Sequence, residues 1–364
     1  MGNGTKIALI IALIIAAIIS IGAIRKLSNR VTSFGEDITI IVDKNGGRVD
    51  WSHTNDTIVH SRYGKDGYYD LWIMNPDGSN VRCLTCDNSK IPQLHNGQPA
   101  WHPSGDYIVF QSQDPSLPHS KLEDYTLTQP GHGKHNNLWI TDPNGDNFYQ
   151  LTNIGQNRAL LHPHFSHDGS KLAWSEQVGE NVLNWAIMIA DFVETPEPHL
   201  ENIKSYQPKG EVWYEVHGFS IDDSKILCTI GTEGYFGYDI WEMEITTQEL
   251  TQLTNRPDIW DEHAHYSPNG KKIVWVSSDG YTYDPSSWWQ TLKTDLWIMD
   301  ADGSNKQRVT HFNEPGYPEY AKKRVIVSDS SWSPNGKRVV ATLVYPDAGR
   351  SSAQIVIINV ENYI

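Results

Sequence analysis

A sixfold internal repeat constrains this chain more than any other feature. One unit reads HAHYSPNGKKIVWVSS (263–278), then a variable loop, then DLWIMDADGSNKQRVT (295–310). Its relatives begin at VDWSHTNDTIVHSR (49–62), PAWHPSGDYIVFQS (99–112), HPHFSHDGSKLAWSE (162–176), VHGFSIDDSKILCTI (216–230) and SSWSPNGKRVVATLV (330–344). Each is followed by a second apolar run, as in DLWIMNPDGSNVRCLT (70–85) or QIVIINV (354–360). Each full unit predicts four short strands. The first ends at an aromatic before a Gly/Asn/Asp turn, the second is β-branched, the third is of the DLWIM type, and the fourth ends in Leu-Thr or Val-Thr. Turns of this composition suit positions that need positive φ.

A four-stranded unit cannot bury both faces alone, so six of them around an axis predict an all-β, six-bladed β-propeller of antiparallel blades. The last unit stops after its third strand, with four residues remaining. An unassigned strand, DITIIV at 37–42, stands before the first unit. It is expected to supply the missing strand and close the ring, because an unclosed ring leaves bare sheet edges.

The runs SPNGKKIVW, SPNGKRVVA, DLWIMDADGSN and DLWIMNPDGSN resemble the TolB-like propeller family, whose units are called PD40 repeats. The resemblance covers about 37–364 and implies the fold. Its functional implication is broad, since the family includes protein-docking modules, peptidase accessory domains and some lyases. It makes a protein- or glycan-binding module the leading expectation.

The turns after the first and third strands are short and alike. The long segments 86–98, 113–136, 279–294 and 311–329 fall together on the other face, which is therefore the expected working face. Trp288 and Trp289 lie in one of these inserts and are candidate stacking residues.

Innermost strands line the channel of a propeller. Aligned on their closing aromatics, two of the six carry His-x-His: His162 and His164, His263 and His265. The equivalent places elsewhere hold Arg48, Asp50, Gln98 and Asp329, all candidate binding residues. The unit between the two pairs offers Glu215 or His217, depending on whether Gly218 makes a bulge. Alternation puts both residues of each pair on one face. Two imidazoles two residues apart can hold one ion, so His162, His263, His265 and Glu215 are candidate ligands for one divalent metal (Mn, Zn or Ca). The alternative is a set of polar channel fillers.

The same cluster resembles the oligogalacturonate lyases, propellers with a His-rich metal site. That resemblance implies metal at His162, His263 and His265, with His217 or His164 as base. A metal would neutralise a uronate carboxylate while the base takes the neighbouring carbon's proton and β-elimination breaks the glycosidic bond. Two departures stand against it. There are six units where those lyases have seven blades, and Trp260-Asp261-Glu262 occupies the place of an expected metal-binding Gln.

Residues 7–24 are an uncharged apolar run of 18, preceded by Lys6 and followed by Arg25, Lys26 and Arg30. As a helix it would measure about 27 Å, close to a hydrocarbon core. The run is longer than a signal-peptide core and lacks a good cleavage site. We therefore expect a membrane anchor over 1–30 and an extracytoplasmic propeller over 31–364, secreted if the segment is cleaved. The first 30 residues carry +4 while the chain carries −15, which leaves −19 on the body. Such a body excludes general nucleic-acid binding.

Three cysteines exclude a disulfide scaffold, although Cys83 and Cys86 suit a local bond and Cys228 a buried filler. The DADGSN and NPDGSN segments are expected as hairpin turns rather than calcium loops, lacking the downstream Glu. No nucleophile elbow, P-loop or dinucleotide fingerprint is present.

Overall fold

In a computed structural model the chain forms six antiparallel sheets arranged as the blades of a propeller. The structure describes residues 33–181, 183–232, 237–348 and 352–364. The first blade comprises Gly46–Trp51, Ile58–Tyr63, Tyr69–Met74 and Arg82–Cys83, from the axis outward. The innermost strands of blades two to six are Asn96–Trp101, Leu160–Phe165, Tyr214–Phe219, Asp261–Tyr266 and Ile326–Trp332.

The ring closes as the repeat count requires. Ile38–Val42 pairs antiparallel with Gln354–Asn359, placing Ile38 opposite Ile358 and Ile40 opposite Val356. Both isoleucines sink into the apolar layer shared by blades five and six. Full burial of such a side chain contributes about 2 kcal/mol. A two-residue strand, Ser33–Phe34, adds a fifth member at the rim of blade six.

The repeated turns follow from side-chain chemistry. Ser267 Oγ accepts from Lys272 N while Gly270, at φ +69°, turns the chain. Ser333, Arg338 and Gly336 repeat the arrangement in blade six. In the turns of the third and fourth strands, Asp77 and Asp302 each accept the backbone N–H of the serine two residues on, at 2.9 Å. Their carboxylates thus cap the turn. The Thr that ends a unit also has a fixed task. Thr85, Thr254 and Thr310 donate to Asp70, Asp239 and Asp295 and accept a backbone N–H from the third strand.

Trp51, Trp174, Trp275 and Trp332, on first and second strands, are the fully buried tryptophans. Of the third-strand tryptophans Trp241 is buried, whereas Trp72, Trp139 and Trp297 are only half-buried. Cys83 and Cys86 form a disulfide, and Cys228 is free and buried. The inserts of blades two and five carry short helices, Lys121–Thr126 and Trp288–Thr291. No helix among the described residues is long and apolar enough to cross a membrane. The apolar run 7–24, expected as an anchor, lies outside the described residues.

Candidate functional site

Each innermost strand carries one irregularity in its pairing with the second strand, at Gly46/Val49, Gly97/Ala100, Leu161/His164, Val216/Gly218, Glu262/His265 and Val327/Ser330. These are β-bulges, and they turn side chains that simple alternation would place alike. Gln98, His162 and His263 occupy the bulges with φ of +49°, +55° and +52°. In blade four Gly218 takes φ +124° and His217 is the extra residue, so both Glu215 and His217 reach the cluster.

The bulges divide the channel into two layers. The upper layer, towards the long loops, holds Arg48, His162, Glu215, His263 and Asp329. Glu215 Oε1 lies 2.7 Å from His162 Nε2 and 3.1 Å from His263 Nε2. His263 Nδ1 is 3.4 Å from Asp329, and Arg48 reaches both Asp329 and, at 2.7 Å, His162 Nε2. Gln98 Oε1 accepts from His162 N at 2.7 Å, fixing the bulge from the neighbouring blade. The lower layer pairs His164 with His265, ring centroids 5.4 Å apart. His217 stands between the layers, 6.0 Å from His162 and 6.2 Å from His265. Asp50 lies low as well, accepting from Trp101 N and Ser331 Oγ.

The sequence grouped His265 with His162, His263 and Glu215. The structure instead joins Glu215 to His162 and His217 in one potential ligand group, and to Glu262 and His263 in an overlapping one. Within each group the donor atoms lie within 4.8 Å of one another.

Electrostatics puts most of these groups in metal-binding form. Burial, then the Arg48 charge, brings His162 down to about 4. Burial likewise holds His217 well below its ordinary value. Burial opposes ionisation of Glu215, but His162 and His263 outweigh it and keep the carboxylate charged. His263 differs: burial opposes its charge, yet Asp329 and Glu215 raise its pKa. Burial and the Glu215 charge push Glu262 up to about 8, so it is largely protonated at neutral pH. Neutral imidazoles beside an ionised carboxylate are the forms that ligate a cation. His217 Nε2 bonds Thr229 Oγ1 at 2.7 Å, leaving Nδ1 buried without a hydrogen-bond partner. The donor set therefore fits a divalent ion.

Above this layer a cavity of about 530 Å³ lies on the long-loop side. Arg48, His162, Glu215, Glu262 and His263 border its inner end, and Trp213, Tyr238, Trp260 and Trp288 are among its walls. The indole N–H of Trp213 donates to Glu215 at 3.3 Å and that of Trp260 to Glu262 at 2.6 Å. Trp288 packs on Trp260 at 5.2 Å, whereas Trp289 does not line the cavity and is 53% exposed. Sequence reasoning missed Trp213 and Tyr238 as wall residues. The spacing Trp213-x-Glu215, repeated as Trp260-x-Glu262, was the available signal.

No family model and no curated protein matches this chain. Solved structures do. TolB from Acinetobacter baumannii is similar at TM-score 0.52 and 17% identity, over 93% of this chain and 67% of that one. An Agrobacterium tumefaciens protein assigned as TolB gives 0.57 and 14%, over 87% and 90%. An oligogalacturonate lyase in complex with manganese gives 0.51 and 11%, over 90% and 95%. The likeness is one of fold: the chain is a TolB-like six-bladed β-propeller, with a weaker similarity to the oligogalacturonate lyases.

Proposed function

We propose that the chain is an extracytoplasmic binding module, tethered through its N-terminal segment, that takes a protein segment or a glycan into the long-loop cavity. A divalent cation belongs to this reading, held by His162, Glu215 and His217, with His263 in the overlapping group around the same carboxylate. The observation that carries it is the Glu215 carboxylate shared by two imidazoles at the inner end of an aromatic-walled cavity. Aromatic walls over a polar floor are the usual make-up of a ligand site. The cation, when bound, would supply a fixed positive charge for an anionic or carbonyl oxygen of the ligand. The Cys83–Cys86 disulfide supports an oxidising compartment.

Metal analysis of purified protein tests the reading. A stoichiometric Mn, Zn or Ca, lost in His162→Ala/His263→Ala, is expected. Protein that acquires no metal from a mixture of these ions overturns the cation. Loss of partner or glycan capture on replacing Trp260 and Trp288 by Ala is expected for the cavity.

A metal-dependent uronate lyase or hydrolase is the second reading. The His/Glu cluster and the fold likeness to a manganese-bound lyase favour it. His217 or His164 would be the base, but neither lines the long-loop cavity, so substrate would have to reach into the channel. Unsaturated-product absorbance on uronic oligosaccharides marks a lyase and new reducing ends without that absorbance mark a hydrolase; neither is expected if the module only binds.

A further inference from the structure

A second surface of the molecule points to a different kind of partner. The body of this protein is strongly acidic, yet one stretch of the long-loop face between blades five and six is basic and aromatic. The sequence there runs Ala321-Lys322-Lys323-Arg324 and lies against the blade-five insert. Arg324 donates to the carbonyl oxygens of Trp289 at 3.0 Å and Leu292 at 3.2 Å, which fixes the two segments side by side. Trp289 is 53% exposed and Tyr317 44%, and Lys322 and Lys323 are exposed beside them.

Three carboxylates of this region already have ion-pair partners, while the exposed Asp284 of the insert is held only by Ser286 and Ser287. Asp347 pairs with Arg324 at 2.7 Å, Glu314 with Arg308 at 2.5 Å and Glu319 with His311 at 3.3 Å. Among the described residues no carboxylate lies within ion-pair distance of Lys293, Lys322 or Lys323. Lys323 lies over the Tyr345 ring at 3.5 Å and Lys293 beside Tyr281 at 5.7 Å, contacts that keep their charge and add aromatic surface.

The place where the chain enters the fold adjoins this patch. Phe34 packs edge-on against Phe312, ring centroids 5.7 Å apart, and Ala321 N donates to Phe312 O at 2.9 Å. The chain leading to Phe34 carries Arg25, Lys26 and Arg30 just after its 18-residue apolar run. The first described residues, at Ser33–Phe34, thus lie beside the patch.

We propose that Lys293, Lys322, Lys323, Trp289 and Tyr317 form a surface that binds the anionic headgroups of a lipid bilayer. Lysines near an anionic leaflet are drawn to it, and Trp and Tyr favour the headgroup region. The patch would orient the propeller on the membrane, with blades five and six nearest the lipid. The inference is independent of what the cavity binds.

The test uses the full chain with vesicles of phosphatidylcholine alone, or of phosphatidylcholine and phosphatidylglycerol in equal parts. A membrane-impermeant acylating reagent reads lysine access by mass spectrometry. Lys271, exposed on a short turn of the opposite face, is the internal control. Phosphatidylglycerol is expected to slow acylation of Lys322 and Lys323 about fivefold or more while Lys271 is unchanged, and high salt should restore it. Lys322→Glu/Lys323→Glu leaves the core untouched and should abolish the protection of Lys293 from acylation that phosphatidylglycerol confers. Equal acylation in both vesicles overturns the proposal, as does equal protection by a soluble polyanion such as a DNA fragment. Flotation with phosphatidylcholine alone reports the N-terminal anchor, so failure of the anchor and failure of the patch are told apart.

Discussion

Glu215 on blade four and His263 on the neighbouring blade five meet in the channel, carboxylate Oε1 to imidazole Nε2, at 3.1 Å. The same oxygen is 2.7 Å from His162 of blade three, so one carboxylate ties three blades together. A propeller brings one strand of every blade to a common axis and so assembles such a group from residues distant in sequence.

Replacing that carboxylate should therefore cost the cation more than it costs the fold. Glu215→Gln keeps the side-chain volume and an acceptor oxygen but removes the charge. Its affinity for Mn²⁺ is expected to fall by more than about tenfold in titration calorimetry. Unchanged affinity would show that Glu215 is no ligand.

Closure makes a separate claim about stability. Ile40 is 5% exposed and packs into the layer between blades five and six. Ile40→Ala should lower stability by about 2–5 kcal/mol in urea unfolding, as for other buried isoleucines. Removing 33–42 altogether should destroy the cooperative transition, since blade six would lose its outer strands. Thermal unfolding unaltered by the deletion would mean that the ring does not depend on this seam.

The blades and their closure were legible because each turn repeats the chemistry that makes it, as Ser267-Pro-Asn-Gly270 and Ser333-Pro-Asn-Gly336 show. The channel cluster was legible in part. His-x-His marked the right strands, but period-two alternation put His162 and His164 on one face, and the bulge at His162 separates them into layers. Nothing in the residue names announces that bulge; only Gly218 hinted at one, in blade four. The cavity wall was less legible still, because Trp213 and Tyr238 come from one blade and Trp288 from the next blade's insert. Their meeting is a fact of three-dimensional packing.

The lower layer gives the molecule a pH signature. Burial, then the His265 charge, holds His164 well below the usual 6.5, and burial, then the His263 charge, brings His265 down to about 3. A base whose pKa is depressed in the folded state binds protons more readily when unfolded. Stability is therefore full above the unfolded value; for His265 it falls as pH drops from about 6.5 towards about 3, and His164 acts in the same direction. His263, with its raised pKa, acts in the opposite sense: its contribution is complete below the unfolded value and is lost as pH rises through the folded one. His162 and His217 act with the lower pair, while Glu262, pushed up to about 8, acts with His263; four depressed rings oppose two raised groups, so the melting temperature of chelator-treated protein should fall on acidification from pH 6.5 to 5. His164→Asn/His265→Asn should flatten that slope. A slope that the double substitution leaves intact would place the titrating groups elsewhere.

The bulges should be testable apart from the chemistry they serve. His263 sits at φ +52°, a left-handed conformation that His and Asn tolerate and β-branched residues resist. His263→Asn and His263→Val both remove the imidazole, so both should abolish metal binding. Only the valine also strains the backbone, which costs about 1–3 kcal/mol. The expected result is a lower denaturation midpoint for His263→Val than for His263→Asn, at equal loss of metal. Equal midpoints would mean that the strand relaxes into regular pairing without cost. In that event the two-layer division of the channel would follow from side-chain packing and not from the bulged backbone.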